Sequence, residues 1–111
     1  MAVLAPIPLR LLPETMTVQV PDTTADYGGK FQAPVTICNV RLERAETLNP
    51  NQYRLADGAK GRVWIDAANS AGAFEVPVGS KVTICGEVFA VAACAALKPF
   101  GAVHHWELDV R

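Results

Sequence analysis

Short runs in which polar and apolar residues alternate, each stopped by glycine, proline or asparagine, restrict this chain to a fold built from antiparallel strands. The run "TMTVQV", residues 15–20, sets Met16, Val18 and Val20 against Thr15, Thr17 and Gln19, the pattern of a strand with one buried face, and it ends at Pro21. A polar loop, "PDTTADYGGKFQAP", follows with two glycines and two prolines. From Val35 to Arg44 the alternation returns: Ile37, Asn39, Arg41 and Glu43 oppose Cys38, Val40 and Leu42. "RVWIDA", residues 62–67, is a third run, with Val63 and Ile65 on one side and Trp64 and Asp66 on the other, and "ANSAGAF" is the turn that ends it. Residues 82–85 and 87–94 form a hairpin about Gly86, which takes positive φ without a steric cost. A last run covers 103–110. No helix-length window carries a 3.6-residue period; the alanine-rich piece at 90–97 comes nearest.

These runs predict an all-β domain over residues 1–111, a small antiparallel β-barrel or sandwich of five to six strands with one long inter-strand loop. The chain's 111 residues, half of them hydrophobic, supply one core and are too few for two. The long loop is 46–61, "ETLNPNQYRLADGAKG", which has no clean period and is punctuated by Asn-Pro-Asn and Asp-Gly. Loops of that length are uncommon in small domains unless they work for a living or lack order, so this one is the leading functional candidate.

Eleven acids against ten bases give a formal net charge of -1, which removes any global pull toward nucleic acid or anionic lipid. Locally, Arg41, Arg44, Arg54, Lys60 and Arg62 cluster around the long loop as a basic rim or a solvated strand end. No run approaches the roughly 20 apolar residues that span a bilayer. The opening "MAVLAPIPLRLLPE", broken by three prolines and an arginine, fits neither a spanning helix nor a secretory signal. Cys38, Cys85 and Cys94 are an odd number without C-x-x-C spacing, which fits reduced thiols in a cytoplasm; only Cys85 and Cys94, on neighbouring runs, are placed to pair.

"GAVHHWELDV" invites metal or acid-base chemistry, but successive strand residues point to opposite faces, so His104 and His105 are not expected to share one ion. His104, Trp106, Leu108 and Val110 fall on one face, taken as core, and His105, Glu107 and Asp109 on the other, with His105 exposed. The three cysteines lie in hydrophobic runs, where a thiol lacks an activating base. Asp22, Asp26, Glu43, Glu46, Asp57, Asp66 and Glu75 flank turns, where solvation is the ordinary explanation. No nucleophile elbow, P-loop, dinucleotide fingerprint or H-E-x-x-H occurs. The residues therefore predict no enzyme, no cofactor and no metal site.

"FEVPVGSKVTICGEVFAVAAC" followed by "KPFGAVHHWELDVR" resembles the C-terminal half of the minor capsid, or head-tail connector, proteins of tailed bacteriophages and prophages. In that family a phenylalanine and V-G-D-K-V precede Gly-x-x-Tyr-x-V, a glycine and a paired-histidine-aromatic-glutamate strand. "PIPLRLLPETMTVQV", "NVRLER" and "RVWIDAANS" are similar to its upstream segments, and the likeness is least in the long loop. The order of the motifs carries the resemblance more than any one of them. Ser80 stands where the family usually has aspartate, Phe89 where tyrosine is common, and alanines with Cys94 replace a more β-branched strand.

The resemblance implies a structural virion protein of the phage neck, made in the host cytoplasm: a stopper, or head-closure, subunit in a homo-oligomeric ring beneath the portal and adaptor. Its other neighbours would be tail-end proteins, with no membrane. By position, the family's channel loop corresponds to 46–61, which brings Asn49, Gln52, Tyr53, Arg54, Leu55 and Lys60 toward translocating DNA. Arg54 and Lys60 would then meet phosphates without reading bases. A tail-terminator ring is the related alternative, and a monomeric small barrel binding an oligonucleotide or ligand is the alternative of another class.

Overall fold

A computed structural model describes residues 5–22, 31–45 and 58–111. Six strands close into one antiparallel barrel: β1 (Glu14–Gln19), β2 (Val35–Arg44), β3 (Gly61–Asp66), β4 (Lys81–Ile84), β5 (Glu87–Leu97) and β6 (His105–Val110). Around the barrel they run β1-β2-β3-β6-β5-β4, so two three-stranded meanders are joined by the β1/β4 and β3/β6 pairs. The expected all-β class stands, and the barrel is the form it takes.

Inward side chains fill the barrel. Met16, Val18, Ile37, Val40, Val63, Ile65, Val82, Ile84, Phe89, Val91, Leu108 and Val110 are buried together, and Val76 of the β3-β4 connection joins them. Trp106 packs half-buried against this cluster, on the same side of β6 as Leu108 and Val110.

Strict alternation fails in two strands. In β2 the buried residues are Ile37 and Val40, three apart, because Asn39 adopts a left-handed φ of 58° and the pairing with β1 slips there from Thr15↔Cys38 to Glu14↔Val40. A bulge of this kind inserts one residue and returns the next to the core. In β5 the pairing jumps from Val91↔Val110 to Ala93↔Asp109, so Cys94, rather than a residue of Val91's own parity, next packs against the core. This strand runs to Leu97, so the alanine-rich piece is extended.

The β4-β5 hairpin turns on two residues, Cys85 and Gly86, with φ of 53° and 76°. Positive φ at both positions is the geometry of the type I′ turn that matches strand twist. Cys85 therefore lies in the turn and is exposed, not within a hydrophobic run. All three cysteines are free thiols.

Ahead of β1, residues 5–13 form a strap that includes a short 3-10 turn, Leu9–Leu11, and buries Leu12. It is tied down by Asp66 at the end of β3, by Asn69 of the following turn and by His104 just ahead of β6.

Candidate functional site

Two regions concentrate polar chemistry: the barrel end from which the long β2-β3 connection leaves, and the outer face of β3 and β6. At the first, the connection is closed at its root by backbone bonds from Ala45 N to Lys60 O and from Lys60 N to Val110 O, both 2.7 Å. Gly61 sits against β2 so closely that a β-carbon there would lie 2.6 Å from the Glu43 carbonyl. Lys60 is exposed at this root. Asn49, Gln52, Tyr53, Arg54 and Leu55, the rest of the expected channel loop, lie outside the described residues, as do Asp26, Glu46 and Asp57.

The basic rim expected here is largely neutralised. Arg44 hydrogen-bonds and ion-pairs with Glu87 across the barrel mouth. That hydrogen bond, with the charges of Arg44 and Lys60, holds the Glu87 carboxyl below its usual range against a smaller opposing desolvation. Arg41 Nε donates to Glu43 Oε1 at 2.6 Å. Arg62, only 13% exposed, grips Asp109 through Nε at 2.7 Å and a second nitrogen at 3.3 Å, and reaches Glu107 at 3.2 Å. Strand register explains this fork: Arg62 and Asp109 are direct cross-strand partners on the outward face, and Glu107 is two residues along. Arg62 is thus part of the barrel wall.

On the outer face the polar contacts continue into the histidines. His105 Nε2 lies 2.8 Å from Glu107 Oε2, and its Nδ1 lies 2.8 Å from Nδ1 of His104. His104 Nε2 in turn meets the Ala5 carbonyl of the strap at 2.7 Å. The expectation that the two rings point apart is overturned, because β6 begins at His105 and His104 belongs to the preceding connection. Pleat alternation does not apply across that boundary. His105 is correspondingly less exposed than expected, with 18% of its side chain accessible.

Asp66 is the residue that sequence reasoning most misjudged. Instead of a solvated turn carboxylate it is fully buried. Its Oδ1 accepts from Ile7 N at 2.9 Å, and its Oδ2 accepts from Ala68 N and Asn69 N at 3.0 and 2.7 Å. Asn69 Nδ2 donates to the Ile7 carbonyl at 2.8 Å, Ser70 Oγ takes the Asp66 amide at 2.9 Å, and that hydroxyl donates to the bulged Asn39 carbonyl. The stretch "DAANS" is therefore a clasp joining the strap, the end of β3 and the β2 bulge. Its signal was present: aspartate followed by asparagine and serine is an Asx-turn signature.

Burial, reinforced by the nearby Glu75 charge, pushes the Cys94 thiol up, away from the reactive thiolate. Among the described residues no group of three or more His, Cys, Asp or Glu side chains is gathered to hold a metal ion. None of the described helices is long and apolar enough to cross a membrane.

The described residues form a filled, ion-paired barrel with the β2-β3 connection rooted at one end. The chain matches the family model for the minor capsid protein over residues 8–110, nearly its whole length, and it belongs to that phage minor capsid family. It is accordingly a virion component that interacts with other virion components. No curated protein and no solved structure matches it.

Proposed function

We propose that this chain is a head-closure, or stopper, subunit of the phage neck, assembling into a homo-oligomeric ring beneath the portal and adaptor, with residues 46–61 facing the channel. The observation that supports the reading is the rooting of that connection: Ala45, Lys60 and Val110 are stitched together by backbone bonds at the mouth of a rigid barrel. A loop so rooted can be aimed by the barrel rather than by its own residues. Because side chains fill the barrel interior, the passage for DNA would lie between subunits around the ring axis. In this reading phosphate contact falls to Arg54 and Lys60, without base readout, while Arg41, Arg44 and Arg62 pair with carboxylates.

The experiment is light scattering across a range of concentrations, with and without the candidate portal-adaptor complex. A stoichiometric ring on that complex is the expected result. A monomer that ignores it at every concentration defeats the reading. Particles carrying Arg54→Gln and Lys60→Gln together should then show altered genome retention or ejection, and unchanged behaviour would remove the DNA contact.

A further inference from the structure

We infer that the His104-His105 pair is a proton-operated latch on the strap, closed while the two rings hold three protons and open when one of them leaves. The outer nitrogens fix the count. His104 Nε2 faces the Ala5 carbonyl at 2.7 Å and His105 Nε2 faces Glu107 Oε2 at 2.8 Å. Both partners only accept, the carbonyl by nature and the carboxylate when ionised, so both Nε2 atoms carry protons. The two Nδ1 atoms face each other at 2.8 Å, a hydrogen bond that needs one proton between them. Three protons thus serve two rings, and the pair as a unit carries one positive charge. A fourth would set two N–H groups face to face. The charged groups set against the pair are Glu107 on β6 itself, Arg62 of β3 behind it, and Asp66 at the end of β3, the cross-strand partner of His105. β5 opposes His105 with uncharged Leu97, ahead of exposed Lys98.

When solvent base takes one proton, two remain for three contacts, and one contact is given up. Keeping both on Nε2 would leave two bare Nδ1 lone pairs facing each other at 2.8 Å, which repel. The proton is therefore lost from one Nε2 or the other. Hydrogen bonds to an ionised carboxylate are roughly twice as strong as neutral ones, so His105 keeps its Nε2–H on Glu107. Arg62 steadies that carboxylate through its other oxygen. His104 then holds its proton on Nδ1, donates it to His105, and presents a bare Nε2 to the Ala5 carbonyl. Lone pair meets lone pair there, and the strap loses its tie at Ala5 while those at Ile7 remain. His104 lines an open groove with Pro6, Phe100 and Val103, which gives solvent access to the ring.

Amide hydrogen exchange of Ile7, the strap amide beside the latch, tests this from about pH 6 to about pH 9, across and above the ordinary histidine range. Corrected for intrinsic exchange, its protection should fall roughly two- to tenfold as pH rises, the worth of one neutral hydrogen bond. Glu107→Gln should remove that fall. The new amide can keep its oxygen on Arg62 and donate an N–H to His105 Nε2. Two ring protons, on His105 Nδ1 and His104 Nε2, then complete the chain to Ala5 with nothing left to lose. If the carboxylate merely braced the wall, the variant would instead show a looser strap that still responds to pH. Should Glu107→Gln fail to fold, the ring nitrogens of the uniformly 15N-labelled wild-type protein decide by NMR: at the alkaline end the protons should sit on His104 Nδ1 and His105 Nε2. Protection of Ile7 that ignores pH, a variant that retains the fall, or Nε2 protons on both rings at the alkaline end overturns the latch.

Discussion

Asp66 shows how much one side chain does in this barrel. Its carboxylate satisfies three backbone amides from two separate segments, Ile7 of the strap and Ala68 and Asn69 of the turn, while wholly removed from solvent. Hydrogen bonds to a charged acceptor contribute more than neutral ones, and deleting a buried acceptor strands its donors. Asp66→Ala should therefore cost about 3 kcal/mol in urea unfolding, and the amides of Ile7, Ala68 and Asn69 should lose hydrogen-exchange protection. A loss below about 0.5 kcal/mol would mean that water replaces the carboxylate at little cost. At Cys85 the balance is reversed. A non-glycine residue in the left-handed region costs roughly 1 kcal/mol, and asparagine tolerates it best. Cys85→Asn creates the Asn-Gly pair favoured in type I′ turns and should raise stability by about 0.5–1 kcal/mol. An unchanged midpoint of unfolding would show that the cysteine is not strained there.

Between elements, the Arg44-Glu87 contact links the end of β2 to the start of β5. Glu87 titrates below its usual range, so the contribution of the pair is present above the ordinary carboxylate pKa and is lost as pH falls through the lowered folded value. In an NMR pH titration of the side-chain carboxyl, Arg44→Ala should bring Glu87 back toward the ordinary range. If its titration did not move, the guanidinium would not be the cause. Both partners are well exposed, and screening makes the effect small at high salt. Elements were also where the sequence was most and least legible. Alternation in "TMTVQV" and in Val63 and Ile65 located β1 and β3 because each keeps one buried face throughout. It misled in β2 and β5 because bulges at Asn39 and after Val91 change which parity faces inward, and a bulge leaves no mark in a pattern of residue types. The facing histidines were missed for a related reason: the strand starts two residues later than the pattern suggests. The clasp at Asp66 depends on Ile7, 59 residues away, and no local reading pairs them.

At the scale of the molecule, every strand shares one interior, so damage anywhere in it should be felt by the whole. Leu108, fully buried on β6, is a fair probe. Leu108→Ala should lower stability by about 2–5 kcal/mol. The unfolding midpoint should move while the dependence on denaturant stays constant, as read from the fluorescence of Trp64 on the outer wall and Trp106 beside the core. Two separate transitions from the two tryptophans would mean that the meanders unfold independently. The ring of strands has one more consequence. Since β1 pairs with β4 as well as β2, the sheet has, among the described residues, no outer strand on which another polypeptide could add its backbone. A neighbour that docks on the described barrel wall meets side chains rather than open backbone, so the specificity of such a contact can be retuned one surface residue at a time.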